Sequence, residues 1–250
     1  MTSYRVARVA VVAILVACIS RALSAQEHDH AAMSASRATT SAELHMEMTP
    51  TRAGTAADSV GASRVAMALR DALIKYRDTT AAVADGYRMF MPQVKEQKVY
   101  HFTNNWRAVQ EAFRFDATKP TSLLYRKDMT GQFVLVGAMY TAPRRFGADK
   151  LDARVPLSIA RWHKHVNWCV PKKAEPERWL ERRDGYAVFG PESPVATRSA
   201  CDAVNGNFHE SVFGWMLHAN VLASDDLAAI WGDEHAGHDM NDGMKKSEIP

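Results

Sequence analysis

Apolar positions along the chain change their period several times, and each change predicts an element. From Ser63 onward Val65, Leu69, Leu73 and Tyr76 recur at three-to-four-residue spacing, with Ala66, Met67 and Ala72 between them. That spacing lays one apolar stripe along a helix, predicted to run to about Asp85, with Gly86 as its stop. Val99 to Phe102 is short and aromatic-rich. Leu123 to Arg126 and Phe133 to Tyr140 flank the run Lys127-Asp128-Met129-Thr130-Gly131, which predicts a hairpin. Pro156 precedes a long strand-like stretch, Leu157 to Val170, and Ser211 to Leu222 reads as a further strand. Glu177 to Arg183 and Thr197 to Val204 predict short helices. Ser224 is placed to cap a last helix, Asp225 to Ile230, whose positive end Asp225 and Asp226 suit. Strands joined by hairpins, with helices before and after, predict one α+β domain with a mainly antiparallel sheet and flanking helices. The domain is expected over residues 61–232, a length that can bury its own core.

Outside that domain the pattern fades. Arg5 and Arg8 precede an apolar run from Val9 to Ile19 that is too short to span a bilayer with ease, so residues 1–25 read as an export signal. Ala22-Leu23-Ser24-Ala25 ends in small residues, as a signal peptidase site does, and predicts a soluble periplasmic or secreted chain beginning at Gln26. Leu15-Val16-Ala17-Cys18 resembles a bacterial lipobox; on that route Cys18 is lipidated and the protein is an outer-surface lipoprotein. Residues 26–60 are rich in Ala, Ser and Thr with few large apolar groups, which predicts a disordered linker; residues 233–250 read as a disordered tail.

Removing residues 1–25 also changes the charge. The formal +3 arises wholly from Arg5, Arg8 and Arg21, because that segment holds no acid, leaving 28 basic and 28 acidic residues. A neutral mature chain without a basic-aromatic motif gives no footing for nucleic acid, and membrane contact is expected only through a lipid anchor at Cys18. Apart from Cys18, the cysteines are Cys169 and Cys201. In an oxidising compartment they are expected to form a disulfide, closing a loop of about 33 residues and adding about 4 kcal/mol by chain entropy. Thiol ligation of a metal is the alternative.

Ten histidines carry the candidate chemistry. Five fall in the flanks: His28, His30, His45, His235 and His238, with Met33, Met46, Met48, Met240 and Met244 nearby. Five fall inside the domain: His101, His163, His165, His209 and His218. Residues 161–170 read Arg-Trp-His-Lys-His-Val-Asn-Trp-Cys-Val. In an extended strand His163, His165, Asn167 and Cys169 share one face, while Trp162, Val166 and Trp168 share the other with Lys164. The tryptophan face reads as core, and the polar row then needs partners, water or a ligand. His101 lies among aromatics, and His218 ends the apolar run Phe213-Gly214-Trp215-Met216-Leu217. The expected inner metal ligands are therefore His101, His163, His165 and His218, with Met216 and a rim-placed His209 in reserve. The opposing expectation is that such histidines are core groups hydrogen-bonded to carbonyls or carboxylates.

In the flanks, His28-x-His30-x-x-Met33 and His235-x-x-His238-x-Met240 repeat one ligand pair. Imidazole serves Cu(II), Zn or Ni, and thioether shifts preference toward Cu(I). These stretches resemble the His/Met-rich segments of periplasmic copper-handling proteins. The order His-Phe-x-Asn, Leu-Val-Gly-Ala-Met-Tyr, Trp-His-x-His-x-Asn-x-Cys and Phe-Gly-Trp-Met-x-His resembles a group of exported bacterial proteins without an assigned activity, which implies a single exported domain and no more.

Three functions follow as expectations. The first is an exported metal-binding protein holding one transition-metal ion, copper first and zinc as the alternative, with tails that capture it or deliver it to a metal-handling partner. The second is a mononuclear metalloenzyme, hydrolytic or oxygen-using, for which carboxylates such as Glu210 are candidate bases without a defining spacing. No His-Glu-x-x-His, Gly-x-Ser-x-Gly or phosphate-binding glycine loop accompanies it. The third is a non-metal exported binding or structural domain with a polar pocket built around His163, His165 and Asn167 and lined by Trp106, Trp162, Trp168 and Trp215.

Overall fold

Antiparallel pairing organises the chain. The computed structural model describes residues 44–232, apart from Gln93, Lys95 and Glu96. Nine strands are described: β1 (Met46–Met48), β2 (Arg88–Met89), β3 (Tyr100–Thr103), β4 (Ser122–Lys127), β5 (Phe133–Ala142), β6 (His163–Val170), β7 (Arg182–Arg183), β8 (Tyr186–Ala187) and β9 (Asn207–Ala219). Seven of them form one sheet in the order β1-β6-β9-β5-β4-β3-β2, and β7 and β8 form a separate ribbon. All pairings are antiparallel. The helices are α1 (Ala56–Leu73), α2 (Thr79–Ala84), α3 (Asn105–Glu111), α4 (Ala148–Asp152), α5 (Arg198–Ala203) and α6 (Leu227–Trp231). This is the α+β class that the periodicity predicts.

One face of the sheet carries the main core. Ala62, Ala66, Leu69 and Leu73 of α1 meet Tyr100, Phe102, Leu123, Tyr140, Trp162, Trp215 and Leu217 from the strands in a single buried cluster. The expected helix over 63–85 differs in three respects. It begins earlier, at Ala56, because Thr55 and Asp58 form a reciprocal capping box. It tightens into a 3-10 turn over Ile74–Arg77. It then restarts as α2, where Asp78 caps by accepting from the Thr80 amide. The last helix is capped by Asp226 rather than Ser224; Ser224 instead accepts from the Asp226 amide.

Three other expectations need correction. The predicted linker over 26–60 is structured in its latter part. β1 pairs with β6, and Arg52 grips Asp58 at 2.7 Å and Asp152 at 2.7 Å. From His45 on, the described residues belong to one compact unit. Those segments escape a hydrophobicity reading because they are held by backbone pairing and ion pairs. Secondly, the strand expected over 157–170 begins only at His163, since Leu157 and Ala160 are buried in turns. Thirdly, Glu177 to Arg183 divides into a 3-10 turn over Pro176–Leu180 and the β7 strand. The export signal, Cys18 and the tail residues His28, His30, Met33, His235, His238 and Met240 lie outside the described residues. No described helix is long and apolar enough to cross a membrane.

The disulfide Cys169–Cys201 is formed and joins β6 to α5 in a second small core with Val188, Phe189 and Val204. Gly206 is the close-approach point of this core: a Cβ there would lie 2.4 Å from Cys169 Sγ and 2.8 Å from Cys201 Sγ. Both sulfurs are locked, so neither can yield. Gly206→Ala is expected to lower the unfolding free energy by about 2 kcal/mol through overpacking. Urea denaturation checks this, and an unchanged midpoint and slope would refute it.

Candidate metal centre

The opposite face of the sheet carries the histidines, and register alone shows why. Residues paired across strands project to the same side, and residues two apart on a regular strand do likewise. His163 pairs with Met216, His218 with Met139, Met139 with Ser122, and Leu124 with His101. Met216 and His218 are two apart on β9, as are Ser122 and Leu124 on β4. His101, Leu124, Met139, Met216, His218 and His163 therefore share one face, and Trp162, Leu217 and Trp215 point the other way into the main core. His165 follows His163 by two residues and joins the same face.

The imidazoles form a continuous row. Ring centres lie 5.7 Å apart for His101–His218, 5.2 Å for His218–His163 and 5.5 Å for His163–His165. His101 stands on β3 and His218 on β9, with β4 and β5 between them. Three strand spacings amount to about 14 Å in a flat sheet. With ring centres 5.7 Å apart, the two side chains reach toward each other across β4 and β5. His163 is 3% exposed and His218 8%, whereas His101 and His165 are half-buried. The four residues predicted as inner ligands are thus neighbours in space, although they come from three strands. Among the described residues, no three of His, Cys, Asp and Glu are grouped so as to hold a metal as they stand.

Methionine extends the donor set. Leu124, Met139 and Met216 make an apolar island on this face, with Val99 and Val136 beside it. Met139 escapes the sequence reading because Leu-Val-Gly-Ala-Met-Tyr looks like uniform core. The available signal was its strand parity relative to Ala138 and Tyr140, which is useful only once β5 is known to be covered differently on its two sides.

Several expected members lie elsewhere. His209 is exposed on the lip of a cleft and makes no ring contact with the other four. Glu210 is exposed and ion-paired with Arg198 at 3.2 Å. His45, grouped in the sequence with the flanking histidines, is buried; its Nε2 donates to the Ser193 carbonyl at 2.5 Å, and its Nδ1 lies 3.3 Å from the Val166 carbonyl. It is the carbonyl-bonded core histidine that the opposing expectation describes. Of the tryptophans, Trp162 and Trp215 are core and Trp106 is exposed. Trp168 departs from the expected alternation. Asn167 takes a left-handed φ of 57°, and the Trp168 ring lies 4.9 Å from His165 rather than in the main core. Lys164 shares the Trp162 side as expected, with its ammonium 4.3 Å above Trp215 and paired to Glu47 of β1 at 2.8 Å.

Beyond Trp168 the surface opens into a cleft of about 450 Å³ bordered by Phe90, Arg144, Trp179 and Phe213. Its wall is strained. Between the pairs His163–Met216 and His165–Val212, β9 uses four steps where β6 uses two. The surplus falls at Phe213, with φ 61°, and Gly214, where a Cβ would lie 2.2 Å from the Ala142 carbonyl oxygen.

Comparison with family models, with curated proteins and with solved structures finds no match for this chain.

A buried carboxyl next to the histidine face also went unnoticed in the sequence. Glu111, at the end of α3, is 2% exposed. Its Oε2 accepts from Thr121 Oγ1 at 2.5 Å and from the Thr141 amide at 2.6 Å, and Thr141 stands opposite Met216 in the β5–β9 register. Desolvation pushes the carboxyl up to about 7, against the opposing pull of Thr121, Thr141 and Arg154. Between pH 4.5 and 7 the unfolded chain is ionised there and the folded one holds the proton, so stability falls as pH rises through this window and levels above it. Denaturation of the wild type and Glu111→Gln across pH 4 to 8 is expected to show a loss of about 3 kcal/mol in the wild type that the variant lacks. Parallel profiles would rule this out.

Proposed function

We propose that this chain is an exported copper-type metal-binding protein, whose ion is held by the row of inner histidines and is captured or delivered by the His/Met-containing ends. The observation that carries the reading is the spacing of the four imidazoles. Two imidazoles on one tetrahedral ion, with metal–nitrogen bonds of about 2.0–2.1 Å, have ring centres about 5 Å apart. Each step of the row, at 5.2–5.7 Å, is near that value. His163 serves as the centre, because it neighbours both His165 and His218. Export is supported by the Cys169–Cys201 disulfide, a bond that persists in oxidising compartments.

The test is metal content in mature protein made without a histidine tag. One equivalent per chain, above what the ends bind, is expected, and His163→Ala/His165→Ala should lose it. His165 and His101 are half-buried, so His165→Ala and His101→Ala serve as milder variants if the double change impairs folding. Metal content unaltered in a folded double variant would refute the inner site.

A further inference from the structure

We infer that the inner centre is a mixed imidazole–thioether site, with Met139 and Met216 joining His163 and His218, and that it selects Cu(I) over divalent ions. The inference rests on the metal-binding reading above and specifies its ligand. Four observations converge on it. Met216 lies directly opposite His163 in the β9–β6 register, and Met139 directly opposite His218 in the β5–β9 register. Same-face residues in such pairs have Cβ atoms about 4.5–5.5 Å apart, and the diagonal of the quartet is the His163–His218 contact at 5.2 Å. Two imidazoles and two thioethers thus occupy the corners of one patch on three adjacent strands.

The methionines are also unusual in where they lie. Met139 is 7% exposed and Met216 6%, and they are the two buried methionines among the described residues. The buried residues of the main core include none. Each is therefore the cross-strand partner of one of the two buried inner histidines, a placement that filling a core does not require. A β-branched residue fits a pleated strand better than methionine does.

Charge then chooses the ion. Imidazole and thioether are neutral, and all four donors are withdrawn from water. The cost of burying an ion rises with the square of its charge, so a divalent ion pays about four times what a monovalent one does where no anionic ligand compensates. Thioether is a soft donor suited to Cu(I), and a closed four-donor set needs no water. Zn(II) and Cu(II) are disfavoured on both counts.

The test is competition of the full mature chain against bicinchoninate for Cu(I) under ascorbate, beside Zn(II) affinity by competition with a zinc chelator. Met139→Leu/Met216→Leu nearly conserves volume and is expected to keep the fold. It should weaken Cu(I) binding at the inner site by about 100-fold or more and leave Zn(II) within about threefold. His163→Ala/His165→Ala should weaken both. Loss of metal in the histidine variant with unchanged Cu(I) affinity in the methionine variant would overturn this inference and leave the metal-binding reading intact. Unchanged binding in both variants would overturn both. If the leucine variant does not fold, X-ray absorption of the chain with one equivalent of Cu(I), carrying Met33→Leu, Met46→Leu, Met48→Leu, Met240→Leu and Met244→Leu so that the methionines facing His163 and His165 from β1 are removed as well, decides. A sulfur shell supports the site, and nitrogen scattering alone overturns it.

Discussion

The antiparallel register between β6 and β9 is the constraint on which the rest of this molecule depends. It aligns His163 with Met216 and, by alternation, sends Trp162, Trp215 and Leu217 to the opposite side. A slip of one residue would exchange the two faces, placing tryptophans against solvent and imidazoles in the main core. The register is held from several directions. β1 pairs along the free edge of β6, the disulfide ties β6 to the helix preceding β9, and Lys164 is fixed between Trp215 and Glu47. The surplus residues of β9 at Phe213 and Gly214 confine the register shift of the β6–β9 pair to one place, and the left-handed Asn167 re-aims side chains further along β6 without a second shift.

A sheet with two chemically different faces follows. The helix-covered face is closed with aliphatic and aromatic groups. The other bears four imidazoles, the buried thioethers of Met139 and Met216, the half-buried ones of Met46 and Met48 on β1, and a small apolar island, bordered by hydroxyls at Thr103, Ser122, Thr121 and Thr141. Glu111 sits at the end of that cluster as a buried carboxyl held near neutrality by desolvation. Removal from water penalises the charged form of that carboxyl.

Much of the fold was legible because its elements declare themselves locally. The β4–β5 hairpin is announced by apolar runs around Asp128 and Gly131, and β9 by its apolar length. His163 and His165 were recognisable as a same-face pair from their spacing. What remained hidden was held by interactions without a local pattern. β1 and the Arg52 ion pairs sit in a polar segment that hydrophobicity reads as linker. His45 looked like its flanking neighbours but is anchored by carbonyls of Val166 and Ser193, more than a hundred residues away in the chain. Trp168 followed alternation on paper, whereas the left-handed turn at Asn167 breaks it.

The sequence by itself determined the fold class, which follows from period, and singled out Cys169–Cys201 and four histidines of the domain as candidates. Tertiary structure decided which of these residues meet. His101 and His218 are neighbours only because the sheet brings β3 and β9 around two intervening strands, and strand order is set by long-range pairing that no local window contains. The same pairing placed Met139 and Met216 opposite His218 and His163, turned Glu111 into a buried group, and left His209 on an exposed rim. Donor type is a property of the residue, but proximity belongs to the register.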